Sequence, residues 1–124
     1  MEPIGRHLLL ELKDCNRELL SDLDFLRNTL LSAAREAGAT IMGDSFHVFE
    51  PYGGVSGVVI IAESHLSIHT WPEYGYAAVD IFTCGDSLHP ELAVDLLANA
   101  LEAKNTSTLE LKRGILDSED EPWR

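Results

Sequence analysis

Residues 55–83 read VSGVVIIAESHLSIHTWPEYGYAAVDIFT, and how this stretch folds back on itself decides the architecture. Val55 to Ala62 is a β-branched apolar run of strand length, and Tyr76 to Thr83 is another. The segment between them also reads as strand, and Pro72-Glu73-Tyr74-Gly75 reads as a turn, so a hairpin closes around it. Paired positions sum to about 146 if Trp71 and Gly75 flank a three-residue turn, or to about 148 if the turn centres on Tyr74. In the second register Ser64 faces Cys84; in the first the two are diagonal neighbours within about 8 Å. Period-two alternation puts His69 on the face opposite Ser64.

Outward from the hairpin, the flanks supply the rest of a core. Upstream, Arg6 to Lys13 alternates as a strand, with Leu8, Leu10 and Leu12 on one face. From about Asp22 to Ala37, the residues Leu23, Leu26, Leu30, Ala33, Ala34 and Ala37 recur at helical spacing, and Gly38 stops the helix. Thr40 to Phe49 runs extended. Downstream, Leu88 to Ala103 predicts a second amphipathic helix with a stripe of Leu88, Leu92, Leu96, Leu97, Ala100 and Leu101, capped by Asp86 or Ser87. Thr106 to Lys112 is a last strand. The order β-α-β-β-β-β-α-β predicts an α+β two-layer sandwich, a largely antiparallel sheet with two main helices packed on one face. Residues 1–116 form one domain, and 117–124, DSEDEPWR, an acidic C-terminal tail.

Nine basic against twenty-one acidic residues give a net charge of −12, which argues against nucleic acid and anionic membranes as partners and suits a cationic small molecule. Cys15 and Cys84 lie far apart and form no CxxC pattern. With no secretory leader and no apolar run of membrane length, the expected compartment is the reducing cytoplasm.

The residues of 63–86 support several chemistries. A Ser/His/acid hydrolase needs its serine on a glycine-flanked elbow, and Ala62-Glu63-Ser64-His65-Leu66 has none. A metal site from His65, His69 and Cys84 meets the strand geometry: i and i+4 share a face but stand about 13 Å apart, so no metal is expected. A non-catalytic binding domain is the bland alternative. Taken singly, a core histidine at 69 and a small buried thiol at 84 are the commoner cases.

The continuous run ESHLSIHTWPEYGYAAVDIFTCGD, with GVSGVVIIAESH before it and GRHLLLELKDC near the start, closely resembles the short prokaryotic S-adenosylmethionine decarboxylases, from about Gly5 to Gly114. The resemblance implies self-cleavage between Glu63 and Ser64 into 1–63 and 64–124, with Ser64 becoming a covalent pyruvoyl group that carries the catalysis. It implies His69 as the processing base, Ser56 as an aid to the processing intermediate and Cys84 as the proton donor in turnover. The implied substrate is S-adenosylmethionine, decarboxylated to the aminopropyl donor of polyamine synthesis, and the implied assembly is a homodimer of processed pairs. Phe46 and Phe49 fall where the family supplies aromatics, Trp71 and Glu73 lie in its turn, and His65 flanks the scissile bond; these are the expected substrate contacts. The same machinery with an altered pocket would act on arginine or ornithine. One departure is the pair Gly53-Gly54, where the family has one glycine before Val-Ser-Gly; an added residue there displaces Ser56 unless a bulge absorbs it.

Overall fold

Leu8, Leu10 and Leu12 are buried to 3% exposure or less, as their alternation requires, on the strand next to one edge of a six-stranded sheet. A computed structural model of the chain describes residues 2–117. Of the expected tail only Asp117 is among them; residues 118–124 lie outside the described residues. The elements are β1 (Gly5–Lys13), α1 (Leu23–Glu36), β2 (Ile41–Phe49), β3 (Gly54–Ile61), β4 (Ser64–Trp71), β5 (Tyr76–Cys84), α2 (Pro90–Ala100) and β6 (Asn105–Arg113). In space the strands run β2-β3-β4-β5-β1-β6, and every neighbouring pair is antiparallel.

Both helices cover the same face. Asp22 caps α1 by accepting a hydrogen bond from the Phe25 N–H at 3.1 Å, and Gly38, at φ 89°, ends it. Its stripe of Leu26, Leu30, Ala33 and Ala34 is fully buried against the sheet, each leucine contributing about 2 kcal/mol of apolar burial. The second helix departs from expectation. It begins only at Pro90, and neither Asp86 nor Ser87 caps it; the preceding residue His89 instead gives its N–H to the Ala37 carbonyl, tying the loop to the end of α1. Its buried residues are Pro90, Ala93 and Leu97, and of the expected stripe Leu88, Leu97 and Leu101 are buried while Leu92 is exposed.

The hairpin register is neither of the two expected. Pro72–Tyr74 form a single 3-10 turn that Gly75 closes at φ 62°, a four-residue connection that makes the paired positions Trp71↔Tyr76 through Ser64↔Thr83. An even-length connection shifts parity by one. Ser64 therefore faces Thr83, and Cys84 is opposite Glu63, whose carbonyl accepts the Cys84 N–H at 2.9 Å. Leu66, Ile68, Ile81 and Thr83 point into the helix-covered core, whereas His65, Ser67, His69, Asp80, Phe82 and Cys84 belong to the opposite, open face.

The glycine pair is absorbed without loss of register. Gly53 sits in the turn at φ 74°, and Gly54 opens β3 so close to its neighbour that a Cβ would stand 2.7 Å from the Thr70 carbonyl oxygen. Ser56 thus lies directly opposite His69. Phe46 lies apart from the other expected substrate contacts. It pairs with Gly57 on the core side, where its ring occupies the space a side chain at 57 would need, and it packs against the helix-side core instead of a cleft.

Candidate active site

β3 and β4 meet in a two-residue turn, Ala62-Glu63, and the bond the resemblance marks for cleavage, Glu63–Ser64, joins that turn to β4. Tight turns of this kind favour glycine, and none is present; the departure appears at Ser64, which has φ 140°. A positive φ on a residue with a Cβ costs on the order of 1–3 kcal/mol and has to be held by its surroundings. They do hold it. The Glu63 carboxylate accepts hydrogen bonds from the Thr40 N–H at 3.1 Å and the Thr40 hydroxyl at 3.3 Å, and its carbonyl is fixed by Cys84. The amide carbon that Ser64 must attack therefore already has a backbone N–H on its oxygen, where negative charge would develop.

At the other end of β4 lies a second group. Ser56 Oγ and His69 Nδ1 share a hydrogen bond at 2.9 Å. Their strands are pinned beneath by Thr70, a buried hydroxyl that accepts from the Val55 N–H at 2.8 Å and donates to the Leu20 carbonyl at 2.7 Å. Beside the pair opens a cleft of about 340 Å³ lined by Phe49, Tyr52, Ser56, His69, Trp71 and Glu73. Glu73 Oε1 is buried with no hydrogen-bond partner among the described residues. A carboxylate oxygen left unpaired costs on the order of 1–3 kcal/mol, which a cation entering the cleft would recover. Trp71 stacks on Tyr76 with ring centroids 5.3 Å apart, so its indole is held in place at the rim.

The expected site residues thus fall into two groups. Ser64, Glu63, His65 and Cys84 gather at one end of the sheet; Ser56, His69, Phe49, Trp71 and Glu73 gather at the other. His69 is five positions along the strand from Ser64, about 17 Å at the rise of a β-strand.

Between them lies a cluster that sequence reading missed. Asp80 Oδ2 accepts from His7 Nε2 at 2.6 Å and His65 Nε2 at 2.9 Å, and Ser67 Oγ donates to Oδ1. Burial works to raise the Asp80 carboxyl, but the hydrogen bonds from Ser67, His7 and His65 outweigh it and hold the group below the usual carboxylate range. The available signal was Asp80 itself, one acid inside the apolar run YAAVDIFT. His7, His65 and Asp80 bring their ligand atoms within 4.8 Å of one another, close enough to suggest a metal. Yet the Arg113 guanidinium donates to His7 Nδ1 at 3.0 Å, where a metal-bound histidine ordinarily donates its own N–H to a carboxylate or carbonyl. A hydrogen-bonded network accounts for these contacts better than a metal centre. Cys15 is buried, and burial together with Asp14 pushes its thiol up to about 11, an inert structural cysteine.

Fold and site define a two-layer α+β domain with a strained serine at a hairpin turn and a carboxylate-bearing cleft on the same sheet. The sequence pattern of S-adenosylmethionine decarboxylase matches residues 6–114. The S-adenosylmethionine decarboxylase proenzyme of Thermodesulfovibrio yellowstonii is 54% identical over 98% of this chain and 89% of its own. The proenzyme of that name from Thermotoga maritima is 50% identical over 100% and 98%. The crystal structure of the adenosylmethionine decarboxylase from Aquifex aeolicus superposes with a TM-score of 0.88 at 34% identity, covering 98% of this chain and 99% of that one. The chain belongs to the S-adenosylmethionine decarboxylase family.

Proposed function

We propose that the chain is the precursor of a pyruvoyl-dependent carboxy-lyase that cuts itself between Glu63 and Ser64 and decarboxylates S-adenosylmethionine to the aminopropyl donor for spermidine. The observation that carries this is the Ser64 backbone, held at φ 140° directly after a carbonyl already bonded to the Cys84 N–H. Relatives at about half identity, named as proenzymes, support it.

In processing, the Ser64 hydroxyl adds to the Glu63 carbonyl, the C–N bond breaks, and an ester replaces the amide, with Cys84 N–H on the developing oxyanion. A base then takes the Ser64 α-proton as the Glu63 carboxylate leaves; water replaces the nitrogen as ammonia, and a ketone remains at residue 64. That ketone, once joined to a substrate amine, supplies the electron sink for loss of carbon dioxide. The Cys84 thiol, at the same strand end and on the open face, supplies the proton for the carbon left behind. Glu73 and the aromatic rings of Phe49, Tyr52 and Trp71 receive the sulfonium and the adenosyl group. The net charge of −12 draws such a cation toward the protein.

His69 and Ser56 take part at Ser64 only across two copies of the chain, because within one copy the ends of β4 stand about 17 Å apart. A two-fold packing of open face on open face places the Ser64 end of one copy beside the His69 end of the other. Exposed Leu9, Ile60, Leu109 and Leu111 on that face support such a homodimer. Two unpaired cysteines support a reducing, cytoplasmic setting.

Denaturing mass spectrometry of the purified protein tests this. Fragments 1–63 and 64–124 are expected, the second adding one hydrazine at its N-terminus, with carbon dioxide released from S-adenosylmethionine and not from arginine or ornithine. A chain that keeps its full mass would reject the proposal.

A further inference from the structure

The open face of the sheet contains a residue arrangement that neither cleavage nor substrate recognition uses. A guanidinium can only donate, so His7 Nδ1 must accept from Arg113, and the His7 proton resides on Nε2, where it is given to Asp80. His7 is therefore fixed as a donor to Asp80 through Nε2. His65 gives its Nε2–H to the same carboxylate oxygen, and its Nδ1 has no hydrogen-bond partner among the described residues. Asp80 thus does for His65 what a carboxylate does for any catalytic imidazole: it fixes the tautomer, leaves the opposite nitrogen basic and stabilises the ring when that nitrogen gains a proton. Phe82 packs beside the cluster, stacked on His7 at 5.0 Å and edge-on to His65 at 5.9 Å, which limits ring rotation.

The observed register puts this imidazole and a thiol at diagonal positions, on either side of the Phe82 pair. Cys84 is opposite Glu63 and Phe82 is opposite His65, so Cys84 and His65 are diagonal neighbours on the same face, within reach of long side chains. The other charged groups around Cys84 are Arg113, two strands away in the same row through Gly5, Asp86 in the following loop, and Glu63, whose carboxylate is turned to Thr40.

We propose that His65 returns a proton to Cys84 after each turnover, with Asp80, His7 and Arg113 as the positioning residues that leave Nδ1 free for this task. The inference rests on the proposed role of Cys84 as proton donor. The Cys84 S–H bond breaks as its proton passes to the carbon that lost carbon dioxide, leaving a thiolate. Before this, the substrate α-ammonium gives a proton to the free Nδ1 of His65, as it must before its nitrogen can act as a nucleophile; that Nδ1 proton then passes to the sulfur, and His65 returns to its neutral form with its proton on Nε2.

Two measurements test this on His65→Gln and Asp80→Asn. The first is iodoacetamide alkylation of Cys84 against pH, read by mass on the peptide containing it; it requires neither cleavage nor turnover, and the buried Cys15 serves as the unreactive reference. Removing the imidazole in His65→Gln, or the carboxylate that orients it in Asp80→Asn, should slow alkylation near neutral pH about 10-fold. The second compares first and later turnovers. In His65→Gln, Cys84 starts protonated, so about one product per site should form at a rate near the parent's, followed by a steady state lowered about 10²-fold and raised again by added imidazole. Alkylation within twofold of the parent, or first and later turnovers reduced alike, would overturn the relay. A missing ketone at residue 64 in the parent would instead refute the proposed function, and alkylation alone would then decide whether His65 serves the thiol.

Discussion

Ser56 Oγ lies 2.9 Å from His69 Nδ1 across the β3–β4 pair, while Ser64, the residue both are expected to serve, begins the same strand five residues earlier. Side-chain motion cannot close a gap of about 17 Å on a rigid strand. The chemistry must therefore be completed by another copy, or Ser56 and His69 must act elsewhere.

Mixing two inactive chains separates these possibilities. Ser64→Ala should stay full length because it lacks the nucleophile, and His69→Ala should cleave at least about 10²-fold more slowly than the parent because it lacks the base. Co-expressed, the His69→Ala chain should be cut using His69 of its companion, while the Ser64→Ala chain stays whole. Mass spectrometry of the mixture distinguishes the chains, and a mixture in which neither is cut would reject a site shared between copies.

Cys84 has two separable roles in the structure, a backbone N–H on the scissile carbonyl and a thiol on the open face. Cys84→Ser changes only the second. Cleavage should proceed within a few-fold of the parent rate, while decarboxylation should fall about 10²-fold, since a hydroxyl is a far weaker acid than a thiol. Parallel measurement of fragment appearance and carbon dioxide release checks this; equal losses in both would remove the distinction.

Much of the fold was legible in the sequence because its elements carry one period each. Leu8, Leu10 and Leu12 alternate, α1 has its leucine and alanine stripe with a cap at Asp22, and the order of strands and helices followed. What alternation could not supply was parity across the hairpin, because one residue in the Pro72–Gly75 turn moves every partner and transfers Cys84 from facing Ser64 to facing Glu63. The candidate site residues were named through the family resemblance, but their division between two strand ends was not legible, because sequence spacing alone does not fix the register that sets which residues lie across from one another. Asp80 went unassigned for a related reason: its partners His7 and His65 come from strands far apart in the chain.

The Asp80 carboxyl predicts an acid-sensitive contribution to stability. Its pKa is depressed in the folded chain, so its contribution is fully present above the ordinary carboxylate value and is lost as pH falls through the depressed one. Urea unfolding of the parent and of Asp80→Asn should therefore show a gap near pH 7 that narrows as pH falls below the carboxylate range. A gap that stays constant across that range would mean that Asp80 contributes through packing and not through its charge.

The packing role of Phe46 is testable against its neighbour. A Cβ at position 57 would stand 2.0 Å from the Phe46 ring, so Gly57→Ala should destabilise the fold by about 1–3 kcal/mol through overpacking. In a Phe46→Ala background the same change should cost much less, because the obstructing ring is gone. Denaturation of the four chains measures the coupling. Processed Phe46→Leu should keep the parent KM for S-adenosylmethionine, and a raised KM would return Phe46 to the substrate contacts.

Glu73 gives the sharpest test of where the cation binds. Its Oε1 is buried, with no hydrogen-bond partner among the described residues, in the cleft that Trp71, Ser56 and His69 also line. Glu73→Gln keeps the shape and removes the charge. A sulfonium has no proton to donate, so its attraction to Glu73 is Coulombic, on the order of 1–4 kcal/mol at 4 Å, and KM for S-adenosylmethionine should rise roughly 10- to 100-fold, with kcat changing much less. The free protein should become no less stable, since an unpaired carboxylate has been replaced by a neutral amide. If instead kcat fell and KM held, Glu73 would be acting on the reacting groups and the cation would have to bind elsewhere on the open face.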